Sequence, residues 1–187
     1  GQVGTLTNKL KEINTGANDS SSTFTNDVYA TDITNTGTGT TTFKDNLLTN
    51  NLNVNAGTTN VEDNLTATTT TISTGTANLN IASGTTSSNI VFNNIGTANL
   101  NGDLTGDIKF AGNNATVNVS DGKGILGSVQ TLASNNTGIL NYKGDGFLDG
   151  TIGSNIYGIK ELNVNTNNQQ NKDSNGVVLS QGLFITR

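Results

Sequence analysis

The chain has 187 residues and a formal net charge of −5, and Asn (32), Thr (32) and Gly (23) dominate its composition. Because Pro, Cys, Met, Trp and His are absent, the sequence excludes disulfides, zinc sites built on His or Cys, and Ser-His-Asp or Cys-His catalytic centres. The eight Lys and one Arg are scattered, which leaves no basic patch for nucleic acid, and no apolar run is long enough to span a bilayer.

The apolar residues favour strands over helices. They are mostly Ile, Leu and Val placed singly between Asn and Thr, which is typical of short strands separated by turns. Thr, Asn and Gly are also poor helix formers, since Thr and Asn offer the backbone competing hydrogen bonds. The sequence therefore predicts an all-β chain.

The N-terminal segment is the one stretch with a helical alternative, because its apolar spacing would suit a helix capped by Gly16. However, residues 1–17 (GQVGTLTNKLKEINTGA) align without a gap onto residues 150–166 (GTIGSNIYGIKELNVNT). The second copy alternates like a strand in IKELNVN, so we expect both copies to form strands. Neither copy resembles a polar cap, which predicts interior coils of a longer array.

Four copies of a shorter motif follow in the middle of the chain: GTTTFKDNL (39–47), GTTNVEDNL (57–65), GTANLNIAS (75–83) and GTANLNGDL (96–104). The first three copies are evenly spaced, and the step to the fourth is slightly longer. Their apolar positions predict two stacked rows, one of Phe43, Val61, Leu79 and Leu100, and one of Leu47, Leu65, Ser83 and Leu104.

A period of roughly 20 residues is typical of solenoids, in which each repeat forms one coil. A leucine-rich repeat would need a dense Leu/Asn consensus and helical returns, so a parallel β-helix fits better. In that fold aliphatic side chains stack inside, Asn bonds Asn in the next coil, and Pro would remove a ladder hydrogen bond. The sequence predicts a right-handed parallel β-helix, a β-solenoid of about nine coils with roughly 18–23 residues each.

Residues 1–187 are accordingly predicted to be a single β-solenoid fragment with two protruding loops, NDSSS (18–22) and NNQQNKDSNG (167–176). Insertions at one repeat position project from one face of a solenoid, which is often its binding face. The predicted binding residues lie in the second loop and are Asn167, Asn168, Gln169, Gln170, Asn171, Lys172 and Asp173. The alternative is a connector without a partner.

Acidic residues offer the only route to catalysis. Asp103 with Asp107, and Asp145 with Asp149, are paired carboxylates of the kind that glycan-cleaving enzymes use, but neither pair has an Arg or an aromatic platform nearby in sequence. The sequence therefore predicts no enzyme and no catalytic residue.

Three further patterns have simple structural interpretations. GDGFLDG (144–150) and DGKG (121–124) echo calcium-binding turns but lack tandem copies, so they are interpreted as surface turns, and no metal or cofactor is predicted. The Thr tracts at 36–42 and 66–71 would form ice-binding rows only if Thr-x-Thr recurred at one position in coil after coil. They are interpreted as solvated strand faces. Most aromatic residues are expected in the core, with Tyr142 and Tyr157 pointing outward.

Several phrases of the sequence resemble a known family. NVNAGTTNVEDNLTATTTTIS (53–73), GDLTGDI (102–108) and GTIGSN (150–155) are similar to passenger repeats of the rickettsial outer-membrane proteins A and B, in the surface cell antigen family of autotransporters. The resemblance covers most of the chain. It implies a longer β-helical passenger on the extracellular side of the bacterial outer membrane, exported through a C-terminal barrel.

The expected function is that of a rigid adhesin or display rod in contact between a bacterium and a host cell. Its expected partner is a host-cell surface protein or glycan, and self-association through open solenoid ends is a further expectation. Nucleic acid is not an expected partner, and the chain is not expected to span the membrane. The alternatives are a structural surface-layer spacer without a receptor and, as a distant third, a glycan-active β-helix.

Overall fold

The computed structural model describes residues 1–82, 84–111, 114–132, 137–153 and 156–164, together with the backbone of 183–186. Those residues form strands and one 3-10 turn (Ala17–Asp19). The strands are β1 (Leu10–Thr15), β2 (Ser22–Phe24), β3 (Val28–Asn35), β4 (Thr40–Phe43), β5 (Leu47–Val54), β6 (Thr58–Val61), β7 (Leu65–Ile72), β8 (Asn78–Ile81), β9 (Thr86–Phe92), β10 (Thr97–Leu100), β11 (Leu104–Thr105), β12 (Ile108–Phe110), β13 (Thr116–Val119), β14 (Lys123–Leu126), β15 (Val129–Thr131), β16 (Thr137–Tyr142), β17 (Gly146–Asp149), β18 (Ile159–Val164) and β19 (Leu183–Thr186).

The strands stack into two parallel sheets that the chain visits in alternation, so the predicted β-solenoid is confirmed. Sheet 1 has the order β1-β3-β5-β7-β9-β11-β14-β17-β19, and β12 joins it between β9 and β15. Sheet 2 has the order β2-β4-β6-β8-β10-β13-β16-β18. Each coil therefore contributes a strand, sometimes a broken one, to sheet 1 and a short strand to sheet 2.

The coil length matches the expectation, whereas the number of turns is slightly lower. The shortest step along sheet 2, such as that from Thr42 to Asn60, is 18 residues, and the longest, from Asn118 to Asn141, is 23 residues. From β2 to β18 the chain makes about seven turns rather than nine. The difference has two sources. Residues 1–9 precede the first strand, and Leu148 pairs with the distant Ile185, so the last step along sheet 1 is unusually long.

The interior of sheet 2 contains two rows of side chains, two positions apart. One row is Phe43, Val61, Ile81, Leu100, Val119 and Tyr142, and the other is Thr41, Thr59, Leu79, Ala98, Val117 and Leu140. All twelve side chains are buried.

The predicted rows were therefore partly wrong. The step between β6 and β8 is 20 residues, against 18 residues between β4 and β6, which moves Leu79 into the second row and puts Ile81 beside Val61. In sheet 1 the position of Leu65 is taken in the next coil by Thr86, and the predicted Ser83 lies outside the described residues.

The prediction that Tyr142 points outward was also wrong. Its ring is fully buried, and its hydroxyl donates to the Phe147 carbonyl at 2.9 Å. This burial raises the pKa of Tyr142 above its usual range, because the charged phenolate would lose its contact with water.

The two similar segments at 1–17 and 150–166 form strands of equal extent, β1 and β18, as predicted. They lie in different sheets, however, and within the described residues each is the last strand at its edge. Lys11 and Glu12 in β1, and Lys160 and Glu161 in β18, place charges on these edges. Charged side chains on an edge strand discourage pairing with other chains, and the prediction that the two segments are interior coils of a longer array stays a prediction.

Candidate functional site

The predicted binding residues Asn167–Asp173, and the whole loop 167–176, lie outside the described residues. The described strands on either side still fix the length of the coil that contains them. Leu148 pairs backward with Ile125 and forward with Ile185, so this coil is more than half as long again as the one before it. The other predicted loop begins as a 3-10 turn at Ala17–Asp19, and Ser22 already starts β2.

The most regular surface of the described chain is the outward side of sheet 2 between β4 and β16, which we call the Thr/Asn face. The four-residue strands from β4 to β13 alternate strictly, so their positions one and three point outward and are half-buried. The longer β16 continues this pattern at its positions three and five. The first outward row is Thr40, Thr58, Asn78, Thr97, Thr116 and Ile139. The second is Thr42, Asn60, Asn80, Asn99, Asn118 and Asn141, and we call it the amide row.

The amide row is one continuous hydrogen-bond ladder. The side-chain Nδ2 of Asn80 donates to Oδ1 of Asn60 at 2.8 Å, and Nδ2 of Asn99 donates to Oδ1 of Asn80 at 2.7 Å. The same bond recurs through Asn118, Asn141 and Asn163 at 2.8, 2.8 and 2.9 Å. Asn60 ends the ladder by donating to the Thr42 hydroxyl at 3.3 Å. The predicted stacking of Asn on Asn is thus present, and every amide donates in the same direction along the rod.

The free groups of the Thr/Asn face are neutral. The hydroxyls of Thr40, Thr58, Thr97 and Thr116 make no side-chain hydrogen bond within the described residues, and each central Asn of the ladder keeps one unpaired N–H there. Neither row contains a charged residue. The nearest ion pair, Lys44 Nζ to Glu62 at 3.4 Å, lies beside the face. The face can therefore exchange hydrogen bonds but offers no charge to a ligand.

One prediction concerns the ladder itself. Asn99→Asp is expected to destabilise the chain by about 1–2 kcal/mol, because a carboxylate cannot donate to Asn80 and places two oxygens against each other. Asn101→Asp is the matched control, since Asn101 only accepts a bond from the Ser120 hydroxyl and its replacement keeps that acceptor. Urea unfolding followed by circular dichroism measures both. Equal midpoints for the two variants would contradict a structural role for the ladder.

Two of the four candidate catalytic carboxylates, Asp103 and Asp107, bond to the backbone of the neighbouring coil. Oδ1 of Asp103 accepts the Gly124 N–H, and Oδ1 of Asp107 accepts the Ser128 N–H, both at 2.9 Å. Asp149 ends β17 and is exposed. In this arrangement Asp103 and Asp107 serve as caps for the backbone of the following coil.

The two turns that echo calcium sites lie on top of each other in neighbouring coils. The Asp145 N–H donates to Oδ1 of Asp121 at 2.8 Å, and the Gly122 N–H donates to the Asp145 carbonyl at 2.7 Å. Within the described residues no three His, Cys, Asp or Glu side chains are grouped closely enough to hold a metal ion. These contacts fit the interpretation as surface turns.

A corner of the solenoid carries a second polar stack. Asn46 donates to Asp27 at 2.9 Å, Asn64 donates to Asn46 at 2.8 Å, and the Thr85 N–H donates to Asn64 at 2.8 Å. The Asn46 bond lowers the pKa of the Asp27 carboxyl. The Tyr29 hydroxyl also donates to Asp27, and this bond raises the pKa of Tyr29. The stack ties four coils together at their turns.

Sheet 1 carries a shallow open cavity of about 290 Å³ on its outward side. It forms where a bulge between Thr66 and Thr69 meets the break between β11 and β12 at Gly106. Its walls are small and uncharged: Ala67, Thr68, Ser87, Ser88, Asn89, Thr105 and Gly106. The Ser88 hydroxyl is already bonded to that of Thr70 at 2.8 Å, and the cavity has no titratable wall.

Comparison with known proteins identifies no relative, since no family model, no curated protein and no solved structure matches the chain. Among the described residues no helix combines the length and the apolar character that crossing a membrane requires. Sequence reasoning missed the Thr/Asn face because it searched for Thr-x-Thr alone. The signal that could have found it is the alternation of Thr or Asn with a small or apolar residue in each copy of the repeat.

Proposed function

We propose that this chain is a segment of a rigid, non-enzymatic rod that stands on the bacterial cell surface and displays adhesive groups to host cells. The observation that carries the proposal is the unbroken stacking from β2 to β18, in which each strand of sheet 2 pairs in parallel with the next. Seven steps of about 4.8 Å give a rod of about 34 Å. Such a stack holds surface groups at fixed spacing, and dense display turns weak contacts into avidity.

The proposed setting is the passenger of an autotransporter, which the repeats resemble. A passenger of this kind would place the rod on the extracellular side of the outer membrane. The chemistry of the described side chains supports binding rather than catalysis, because Asp103 and Asp107 are engaged with the backbone of the next coil. The exposed rows instead offer neutral donors and acceptors.

The predicted adhesive loop keeps its place in this proposal. The coil that contains the loop 167–176 is much longer than the coil before it, and extra length at one coil is how a solenoid displays a binding loop. Its polar residues, Asn167 to Asp173, would provide hydrogen bonds to a host-cell surface protein or glycan. Self-association through the open solenoid ends remains a further part of the proposal.

Host-cell binding by the purified chain tests the proposal. We expect saturable binding, and a roughly tenfold loss of affinity, about 1.4 kcal/mol, when residues 167–176 are replaced by a Gly-Ser linker of equal length. The linker keeps the spacing of the coil while removing its side chains. Binding is measured by flow cytometry with labelled chain over a range of concentrations.

The control is Lys44→Ala, which removes an exposed ion pair beside the Thr/Asn face and should leave binding unchanged. Full affinity in the linker variant would place the adhesive surface elsewhere on the rod. A folded chain that binds no host cell would support the alternative, a structural spacer without a receptor.

A further inference from the structure

The open cavity on the outward side of sheet 1 collects hydroxyl groups from three successive coils. Its wall residues Thr68, Ser87 and Thr105 belong to β7, β9 and β11, and all three are exposed. Their hydroxyls make no side-chain hydrogen bond within the described residues, so they are free to bond a ligand. The volume of about 290 Å³ is near the lower limit for small-molecule sites, about 300 Å³, and suits one small unit of a ligand.

The walls of the cavity are held in place by hydrogen bonds that do not use these three hydroxyls. Oδ1 of Asn89 accepts the Asp107 N–H at 3.0 Å, and Nδ2 of Asn89 donates to the Thr68 carbonyl at 3.4 Å. Ser88 is buried, and its hydroxyl is bonded to that of Thr70 at 2.8 Å. These bonds join three coils around the cavity. A site whose walls are fixed before binding loses less entropy when a ligand arrives.

The chemistry of the cavity favours an uncharged, hydroxylated ligand. A hydroxyl both donates and accepts hydrogen bonds, so several hydroxyls in one cavity complement the hydroxyls of a sugar, which do the same. No wall residue is charged, so a carboxylate or an amine would lose contact with water without gaining an opposite charge. Ala67 and Gly106 add small apolar surface that fits the C–H groups of a sugar ring.

We propose that this cavity binds an uncharged sugar unit of a glycan. Because the cavity is open, the rest of the glycan can continue into solvent. A single shallow site of this kind binds weakly, and display of many rods turns such contacts into avidity. The proposal deepens the proposed adhesive function and rests on it for the source of the glycan, the host-cell surface. The cavity is built from residues 67–106 and is therefore a second site beside the predicted loop 167–176.

Binding of the full chain to a glycan array tests the proposal. The chain is biotinylated at its N-terminus and clustered on labelled streptavidin, because avidity makes a weak site detectable. The array pairs neutral host-type glycans with their sialylated forms, which add a carboxylate. We expect the neutral glycans to bind and their sialylated forms to bind more weakly. Thr105→Val replaces one wall hydroxyl by a methyl group and should lower the apparent affinity about fivefold.

The matched control is Thr97→Val, which makes the same change on the Thr/Asn face of sheet 2 and should bind like the wild type. Circular dichroism first establishes that both variants keep the wild-type fold. Failure of the wild-type chain to bind any neutral glycan would overturn the proposal. So would equal or stronger binding of the sialylated forms, or equal affinity of the two Val variants. The variant with a Gly-Ser linker at 167–176 should keep its glycan binding, so failure of the cavity is distinguishable from failure of the adhesive loop.

Discussion

Replacement of Gly57 by Ala is expected to lower the free energy of unfolding by about 2–5 kcal/mol, the sum of a left-handed backbone and a steric clash. Gly57 has a φ of 61°, and a Cβ there would lie 2.3 Å from the Gly39 carbonyl oxygen of the preceding coil. The clashing atom is a backbone oxygen, so rotation of a side chain cannot relieve the clash. The two coils would have to separate at the point where the Thr58 N–H donates to the Gly39 carbonyl.

Gly122→Ala separates the cost of the left-handed backbone from the cost of the steric clash. Gly122 has a φ of 71°, similar to that of Gly57, but nothing lies within 4 Å of a Cβ built on it. Only the backbone strain remains, and we expect a loss of about 1–2 kcal/mol. Chemical denaturation followed by circular dichroism compares both variants with the wild type. If both lose the same amount, close approach of neighbouring coils is not what requires glycine at position 57.

Phe92→Ala is expected to cost about 3–5 kcal/mol, because it opens a cavity in the middle of the core. The ring of Phe92 is 1% exposed and stacks on that of Phe110 at 5.2 Å. In a solenoid each coil packs only on its neighbours, so such a cavity weakens two coil–coil contacts at once.

The matched comparison is Phe24→Ala, at the other stacked pair of rings. Phe24 stacks on Phe43 at 5.0 Å, but it is half-buried and sits in β2, the edge strand of sheet 2. We expect about half the loss, roughly 2 kcal/mol, since less apolar surface returns to water. Thermal and urea unfolding measure both. A larger loss at Phe24 would mean that the edge coil, rather than the middle, limits stability.

The sequence predicts the coil but not its register, and the reason lies in the turns. GTTNVEDNL and GTANLNIAS look equivalent from their shared Gly-Thr, yet the structure pairs Thr58 with Asn78 rather than with Thr76. A slightly longer surface turn adds little to the entropic cost of closing the turn, so coils of different length can follow one another. The strands themselves follow from alternation, which is insensitive to such shifts.

The same insensitivity explains why the sequence does not predict which sheet each of the two end segments joins. Alternation in IKELNVN, together with the alignment of the first copy onto it, correctly predicts a strand in each segment, and these strands lie at 10–15 and 159–164. Both sheets of a solenoid accept such a strand, however. Nothing local assigns one copy to sheet 1 and the other to sheet 2. Tyr142 was misplaced for a related reason. Its hydroxyl suggests an exposed side chain, and only the contact with the Phe147 carbonyl makes burial acceptable.

The direction of the hydrogen bonds between coils determines how the rod responds to force. These bonds run along the axis of stacking, so tension applied at the two ends acts on one pair of neighbouring coils at a time instead of shearing many bonds together. Each coil that opens releases one repeat of chain, or about 60–80 Å when fully extended. A rod built in this way is stiff at rest, yet under tension it lengthens in discrete steps, which would limit the load on whatever holds its two ends.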